Sequence, residues 1–222
     1  PRDGIGVATD LHTLLAHVPG PFVLVGHSSG AQYVRIFAGR YPSEVAGVVL
    51  LDPQPTEVLT RLPAFPTFYR VFRRVSALFP SLARLGVARL ISLADSAGLP
   101  PEARELRRVY SASPHSSRSL RDEFAQLPIA LAQADSVRSL GDLPLIVVTA
   151  ARGAQEGWLP LQDEMAALSR NSLHLVLPNA THSSLIEDEH DATLSAEAIR
   201  QVVESARAGR ALEKVARVVV SP

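Results

Sequence analysis

The chemically most suggestive residues in this chain are a serine set between glycines, in Gly26-His27-Ser28-Ser29-Gly30, and a histidine far downstream, His182. A serine hydroxyl is a weak nucleophile until a base takes its proton, and the base in turn needs a carboxylate to fix its tautomer and stabilise its charged form. Two carboxylates are candidates for that role: Asp52, which ends an apolar run, and Glu156, in Gly153-Ala154-Gln155-Glu156-Gly157-Trp158-Leu159-Pro160. The chemistry such a set supports is nucleophilic acyl transfer. The pattern G-x-S-x-G is short, so its setting decides its weight. A buried strand must lead directly into it and a helix directly out, with glycines that admit close backbone approach. The plainer reading, that Ser28-Ser29 caps the next helix, is compatible, because a helix amino terminus also presents N–H groups to an anion.

The flanking elements have the required character. Val7, Leu11, Leu14, Leu15 and Val18 form the stripe of an amphipathic helix that ends at Pro19-Gly20. The run Pro21-Phe22-Val23-Leu24-Val25 then predicts a buried parallel strand, and Val34, Phe37, Ala38 and Tyr41 predict the helix after the serine. Val45 to Leu51 predicts the next strand, which gives the βαβ signature of a parallel sheet. Residues 54–141 break that rhythm with prolines at 55, 63, 66, 80, 100, 101, 114 and 128 and no convincing strand, as expected of an inserted helical lid. The rhythm resumes with a strand at Leu143 to Val148, a helix carrying Leu161, Met165 and Leu168, a strand at Leu173 to Leu177, and a closing helix over about 191–205. The expected organisation is therefore a first core part at 1–53, a lid at 54–141 and a second core part at 142–222.

Composition narrows the partners. With 46% hydrophobic residues the chain can bury a sizeable core, and with 22 basic and 22 acidic side chains it carries no overall field to hold a nucleic acid. The expected partner is a small molecule. Cysteine is absent, which removes disulfides, thiolate zinc sites and thiol nucleophiles. No metal-ligand cluster or phosphate loop is present, so no cofactor is expected. No apolar run approaches the roughly 20 residues of a membrane span. A soluble segment is expected, with the cytoplasm favoured, while targeting signals upstream of Pro1 cannot be read from this chain.

Leu24-Val25-Gly26-His27-Ser28-Ser29-Gly30-Ala31, the following Tyr41-Pro42, and Val45-Ala46-Gly47-Val48-Val49-Leu50-Leu51-Asp52 together resemble the central stretch of the α/β-hydrolase fold superfamily, in its serine-nucleophile, esterase- or lipase-like branch. The likeness covers most of the core but not the lid, and Ala31 stands where the family often has glycine. It implies an α/β fold with a mostly parallel sheet, flanking helices and a lid, and with the amino-terminal strands of the family lying before Pro1. It also implies catalytic groups at the carboxyl ends of successive strands, in the order serine, acid, histidine. On this resemblance His182, after Pro178-Asn179-Ala180-Thr181, is the base, with Thr181 in place of the usual glycine. Asp52 matches the acid of a minority resembling haloalkane dehalogenases, whereas Glu156 resembles the commoner acid turn; Asp52 is preferred, and Glu156 stays open. One oxyanion donor would be the backbone N–H of Ser29, and the second would come from a loop upstream of Pro1.

The other histidines, His12, His17, His27, His115, His174 and His190, are expected in solvated or structural roles, and Glu187, Asp188 and Asp191 in a solvated turn and helix cap. The lid carries Phe65, Phe68, Tyr69, Phe72, Leu78 and Phe79 among several arginines, which suggests an apolar face toward a pocket and a partly apolar substrate. The expected activity is cleavage of an ester-like bond through a serine acyl-enzyme. The alternatives are a non-catalytic ligand-binding member of the same fold and a truncated, inactive fragment.

Overall fold

The computed structural model describes residues 2–87 and 98–212. Residues 88–97 of the expected lid and the tail from 213 lie outside them. Four apolar runs form a wholly parallel sheet in the order β1-β2-β3-β4: Phe22–His27 (β1), Val45–Leu51 (β2), Leu145–Ala150 (β3) and Ser172–Leu177 (β4). Helices α1 (Gly4–Leu15) and α2 (Gly30–Arg40) precede β2. Helices α3 (Val58–Arg61), α4 (Phe65–Ser76), α5 (Phe79–Arg84), α6 (Pro101–Ser111) and α7 (Pro114–Asp135) lie between β2 and β3. Helix α8 (Trp158–Ala166) joins β3 to β4, and α9 (Ser184–Glu187) and α10 (Glu189–Ala208) come after β4.

Alternation along the strands divides the core into two layers. Val48 and Leu50 of β2, with Leu145 and Val147 of β3, pack with Ala8 of α1, Phe37 of α2 and Met165 of α8. Their neighbours Val49, Leu51, Ile146 and Val148 face the other way, onto Ala198 and Val202 of α10. This is why β2 and β3 read as unbroken apolar runs, since both faces of a central parallel strand are covered. Val48, Val49, Ile146 and Val147 are fully buried, and each such side chain contributes ~1.5–3 kcal/mol by leaving water. At Gly47 of β2 the packing leaves no room for a side chain: a Cβ there would lie 2.4 Å from Val202 Cγ1.

The helix boundaries reflect local chemistry. Asp3 caps α1 by accepting from the Gly6 N–H at 2.8 Å, Ser113 caps α7 by accepting from Ser116, and Asp188 caps α10 by accepting from His190 and Asp191. Gly209, at φ 59°, ends α10 in the left-handed conformation. Helix α7 is tied into the core. Its Ala134 packs in the first core layer, and Gln133 bonds both the Ile5 N–H and Asp3, which ties the inserted segment to α1. A third apolar cluster joins Val58 and Leu62 of the α3 region, Tyr69 of α4, Leu127 and Leu131 of α7, and Leu161 of α8. Among the described residues no helix is long and apolar enough to cross a membrane.

Candidate active site

Ser28 occupies the sharp turn between β1 and α2, with φ at 56°, a left-handed conformation that strains a residue bearing a side chain by on the order of 1–3 kcal/mol. Backbone bonds on both sides hold it there. Its N–H donates to Leu51 O at 3.1 Å, and its carbonyl accepts from Gln54 and Ala31 at 3.1 and 3.2 Å. The turn brings α2 hard against β1: a Cβ on Gly26 would lie 2.8 Å from the Gly30 carbonyl carbon and oxygen. Gly26 must therefore be glycine, whereas a Cβ on Gly30 would meet nothing within 4 Å among its neighbours. Among the described residues, no hydrogen-bond acceptor engages the N–H groups of Ser29 and Gly30 at the start of α2, as is usual for the first turn of a helix.

Asp52 sits at the end of the adjacent strand, with φ at 39°, and it shares with Ser28 the positive φ that side chains rarely adopt. Its side chain is buried, and both carboxylate oxygens are engaged. Oδ1 accepts from Trp158 Nε1 at 3.0 Å and from the Ala150 N–H at 3.3 Å. Oδ2 lies 2.6 Å from Nδ1 of His182. Two buried glutamines hold the loop after Asp52: Gln162 Nε2 donates to Pro53 O and Gln32 Nε2 to Gln54 O, each at 2.8 Å.

His182 lies after β4 on a loop that is locked despite the threonine before it. Thr181 and Ser184 exchange backbone-to-hydroxyl bonds, and Ser184 Oγ also donates to Asp191 at 2.5 Å. The imidazole is half exposed at 49%, against 5% for the Asp52 side chain, and its Nδ1 is the nitrogen held by Asp52. His27, immediately before Ser28, bonds the His182 carbonyl through Nε2 at 2.9 Å, and the two rings lie 4.5 Å apart. A carbonyl can only accept, so Nε2 of His27 carries a proton. Burial pushes the His27 imidazole below its ordinary pKa; its bond to the His182 carbonyl pulls upward, the like charge of His182 adds to the lowering, and Asp52 and Glu187 oppose it. No hydrogen bond joins Ser28 Oγ to His182 among the described residues.

Glu156 lies exposed on the turn between β3 and α8, and no hydrogen bond links it to His182 among the described residues. Of the remaining histidines, His12 stacks on Tyr41 at 4.1 Å and meets Glu44, while His174 bridges Thr149 and Asp163 at 2.7 Å each. His17, His115 and His190 are exposed. Asp188 caps α10, Glu187 pairs with Arg107, and Asp191 braces the His182 loop through Ser184. Three participants escaped the sequence reading. Trp158 is an ordinary member of the Glu156 turn until its indole is seen on Asp52. Glu123 of α7 accepts from Ser29 Oγ at 2.5 Å and lies close to the Tyr33 phenol. Gln162 is wholly buried beneath Pro53. A cleft of about 540 Å³ beside Ala46, Pro144 and Ser172 opens at the opposite edge of the sheet, at the amino ends of the strands, away from these groups.

A family model for the alpha/beta hydrolase family matches residues 1–196. An uncharacterised protein of Schizosaccharomyces pombe is 27% identical over 194 residues, covering 83% of this chain but only 35% of the relative, so the chain spans about a third of that protein's length. Among solved structures, a provisionally assigned ancestral haloalkane dehalogenase aligns with a TM-score of 0.65 at 16% identity, over 91% of this chain and 76% of that one. A provisionally assigned acyltransferase from Salmonella enterica aligns at 0.67 and 15% identity, over 92% and 71%. At these identities the structural likeness is one of fold. The family match spans most of the sequence, and the parallel sheet with flanking helices agrees with the fold of these neighbours: the chain belongs to the α/β hydrolases.

Proposed function

We propose that the protein is a serine hydrolase of the carboxylesterase-like kind, acting on a small, partly apolar substrate with an ester-like bond. His182 removes the proton of Ser28 as Oγ bonds to the carbonyl carbon, and the resulting oxyanion is met by the N–H of Ser29. Collapse of that intermediate breaks the bond to the leaving group, which takes the proton from His182 and leaves an acyl-enzyme. Water, deprotonated by the same imidazole, then releases the acid and restores Ser28. Asp52 holds His182 in the tautomer with Nδ1–H and stabilises imidazolium throughout.

The single observation that carries this reading is the 2.6 Å contact between the buried Asp52 carboxylate and His182, on a histidine whose ring is half exposed. The apolar preference rests on α4, α5 and α7. Phe72 packs against Phe68, Phe79 and Phe124 with ring centroids 4.3–5.7 Å apart, and Phe124 adjoins Glu123, which touches the serine turn. A helical lid over the site accounts for that arrangement.

The test is covalent labelling by a fluorophosphonate, which phosphonylates an activated serine. Labelling is expected in the wild type and lost in Ser28→Ala. A Ser28→Ala protein that labels as strongly as wild type refutes the assignment. Stabilisation by small apolar esters without labelling of the wild type would identify a ligand-binding protein instead.

A further inference from the structure

The carboxylate of Glu123 stands 94 positions from the serine turn in sequence yet bonds the hydroxyl of the very next residue, Ser29, at 2.5 Å. The phenol of Tyr33, one turn along α2, lies close to the same carboxylate. Helix α7 thus brings one carboxylate to the amino end of α2, next to Ser28 in the chain. The Ser29 hydroxyl is a neutral donor, and among the described residues no ion pair engages Glu123. Burial, with the Glu123 charge beside it, pushes the Tyr33 phenol up to about 12, so it adds no second negative charge there. The basic side chain nearest in sequence, Arg121, bonds Asp122 instead. One residue further along, Phe124 packs into the aromatic cluster against Phe72.

We propose that Glu123 is a specificity-determining residue that excludes anionic substrates, restricting the site to esters whose acyl part is neutral or cationic. The proposal rests on the serine-hydrolase reading and names the substrate class of that same site. Like charges held a few ångström apart at a partly buried site repel enough to lower kcat/KM by roughly tenfold to thirtyfold, and the loss falls mainly on KM, since the charge acts before the carbonyl is attacked.

The experiment compares p-nitrophenyl butyrate with the mono-p-nitrophenyl ester of succinic acid, which carries a carboxylate at the end of a similar acyl chain. The wild type is expected to prefer the butyrate, and Glu123→Gln, which keeps an acceptor for Ser29, to narrow that preference by roughly tenfold or more through KM. Asp142→Asn, at the far edge of the sheet where Asp142 pairs with Arg170, is expected to leave the ratio as in wild type. Raising the salt concentration on the unaltered protein reads the same charge without a substitution and is expected to narrow the ratio too. An unchanged ratio in Glu123→Gln together with no salt effect overturns the proposal, as does a wild type that prefers the succinate ester. An equal rise or fall on both esters overturns it as well, because it assigns Glu123 to holding α7 rather than to reading charge. A wild type that neither labels with fluorophosphonate nor hydrolyses either ester refutes the hydrolase reading itself, a result distinguishable from the others.

Discussion

Replacing Asp52 with asparagine changes one atom type and almost no volume, and the hydrogen bonds around it decide how the side chain must sit. Oδ1 faces two donors, the Trp158 indole at 3.0 Å and the Ala150 N–H at 3.3 Å. An asparagine must therefore set its carbonyl oxygen there, because turning the amide over would oppose its NH2 to two N–H groups at about 1–3 kcal/mol for each donor left unsatisfied. The NH2 is then forced into the Oδ2 position, 2.6 Å from His182 Nδ1. That nitrogen must accept, so the imidazole proton moves to the outer nitrogen, which can no longer take the proton of Ser28.

The substitution thus removes both the correct tautomer and the negative charge that stabilises imidazolium. In the serine-protease template, the corresponding loss lowers kcat by on the order of 10⁴, or about 5.5 kcal/mol of barrier. The same scale is expected here in hydrolysis of p-nitrophenyl butyrate at a pH where the wild type is fully active. A thermal melt must show the variant folded. Glu156→Gln, on an exposed turn, is expected to stay within about twofold, as surface substitutions do. A folded Asp52→Asn protein within tenfold of wild type, or a large loss in Glu156→Gln, refutes the assignment of the acid.

The neighbours of this pair give two further expected outcomes. Trp158→Phe keeps the ring but removes the indole N–H from Oδ1, a charge-assisted bond worth ~1.5–3 kcal/mol, so kcat is expected to fall about tenfold with a lower melting temperature; unchanged values of both would show that the Ala150 N–H alone suffices. His27 has a folded pKa below its unfolded one, so the unfolded chain binds the proton first as pH drops. Its stabilising effect is complete above the ordinary histidine range and is lost as pH falls from there through the lowered value. Urea midpoints between pH 8 and 5 should therefore decline more steeply for wild type than for His27→Gln, which retains a donor toward His182 O; parallel profiles would refute the coupling.

What could be read from the sequence was local, and what could not was set by contacts between distant segments. Ser28 is legible because its strand, turn and helix lie within about twenty positions and each has its own periodicity. The sheet is legible for the same reason: β2 and β3 are covered on both faces and so are continuously apolar. The choice between Asp52 and Glu156 was not, because both come after strands at the same sheet edge and only the paths of two loops separate them. The chain after β3 carries left-handed glycines at 153 and 157, turns Glu156 outward, and delivers Trp158 to Asp52 instead. Nothing in the residue types announces that an indole 106 positions away will saturate one oxygen and leave the other for histidine. Thr181 carried a similar ambiguity. Its place in the loop is secured by reciprocal bonds with Ser184, so a threonine there closes the turn with its side chain.

The sheet itself explains why the groups meet. Each strand end hands its first loop residue to the next strand: Ser28 N–H bonds Leu51 O, Asp52 N–H bonds Val148 O, and Ala151 N–H bonds Leu177 O. The parallel ladder is thereby extended one residue beyond each strand, across all four. Adjacent strands lie about 4.8 Å apart, so serine and acid are brought side by side with no freedom to drift along the strand direction. The same bonds hold Ser28 and Asp52 in their left-handed conformations, since releasing either strain would break a rung of the ladder and expose buried N–H groups. Strain at the two positions is therefore a consequence of how the sheet ends, and it fixes the geometry on which His182 has to close.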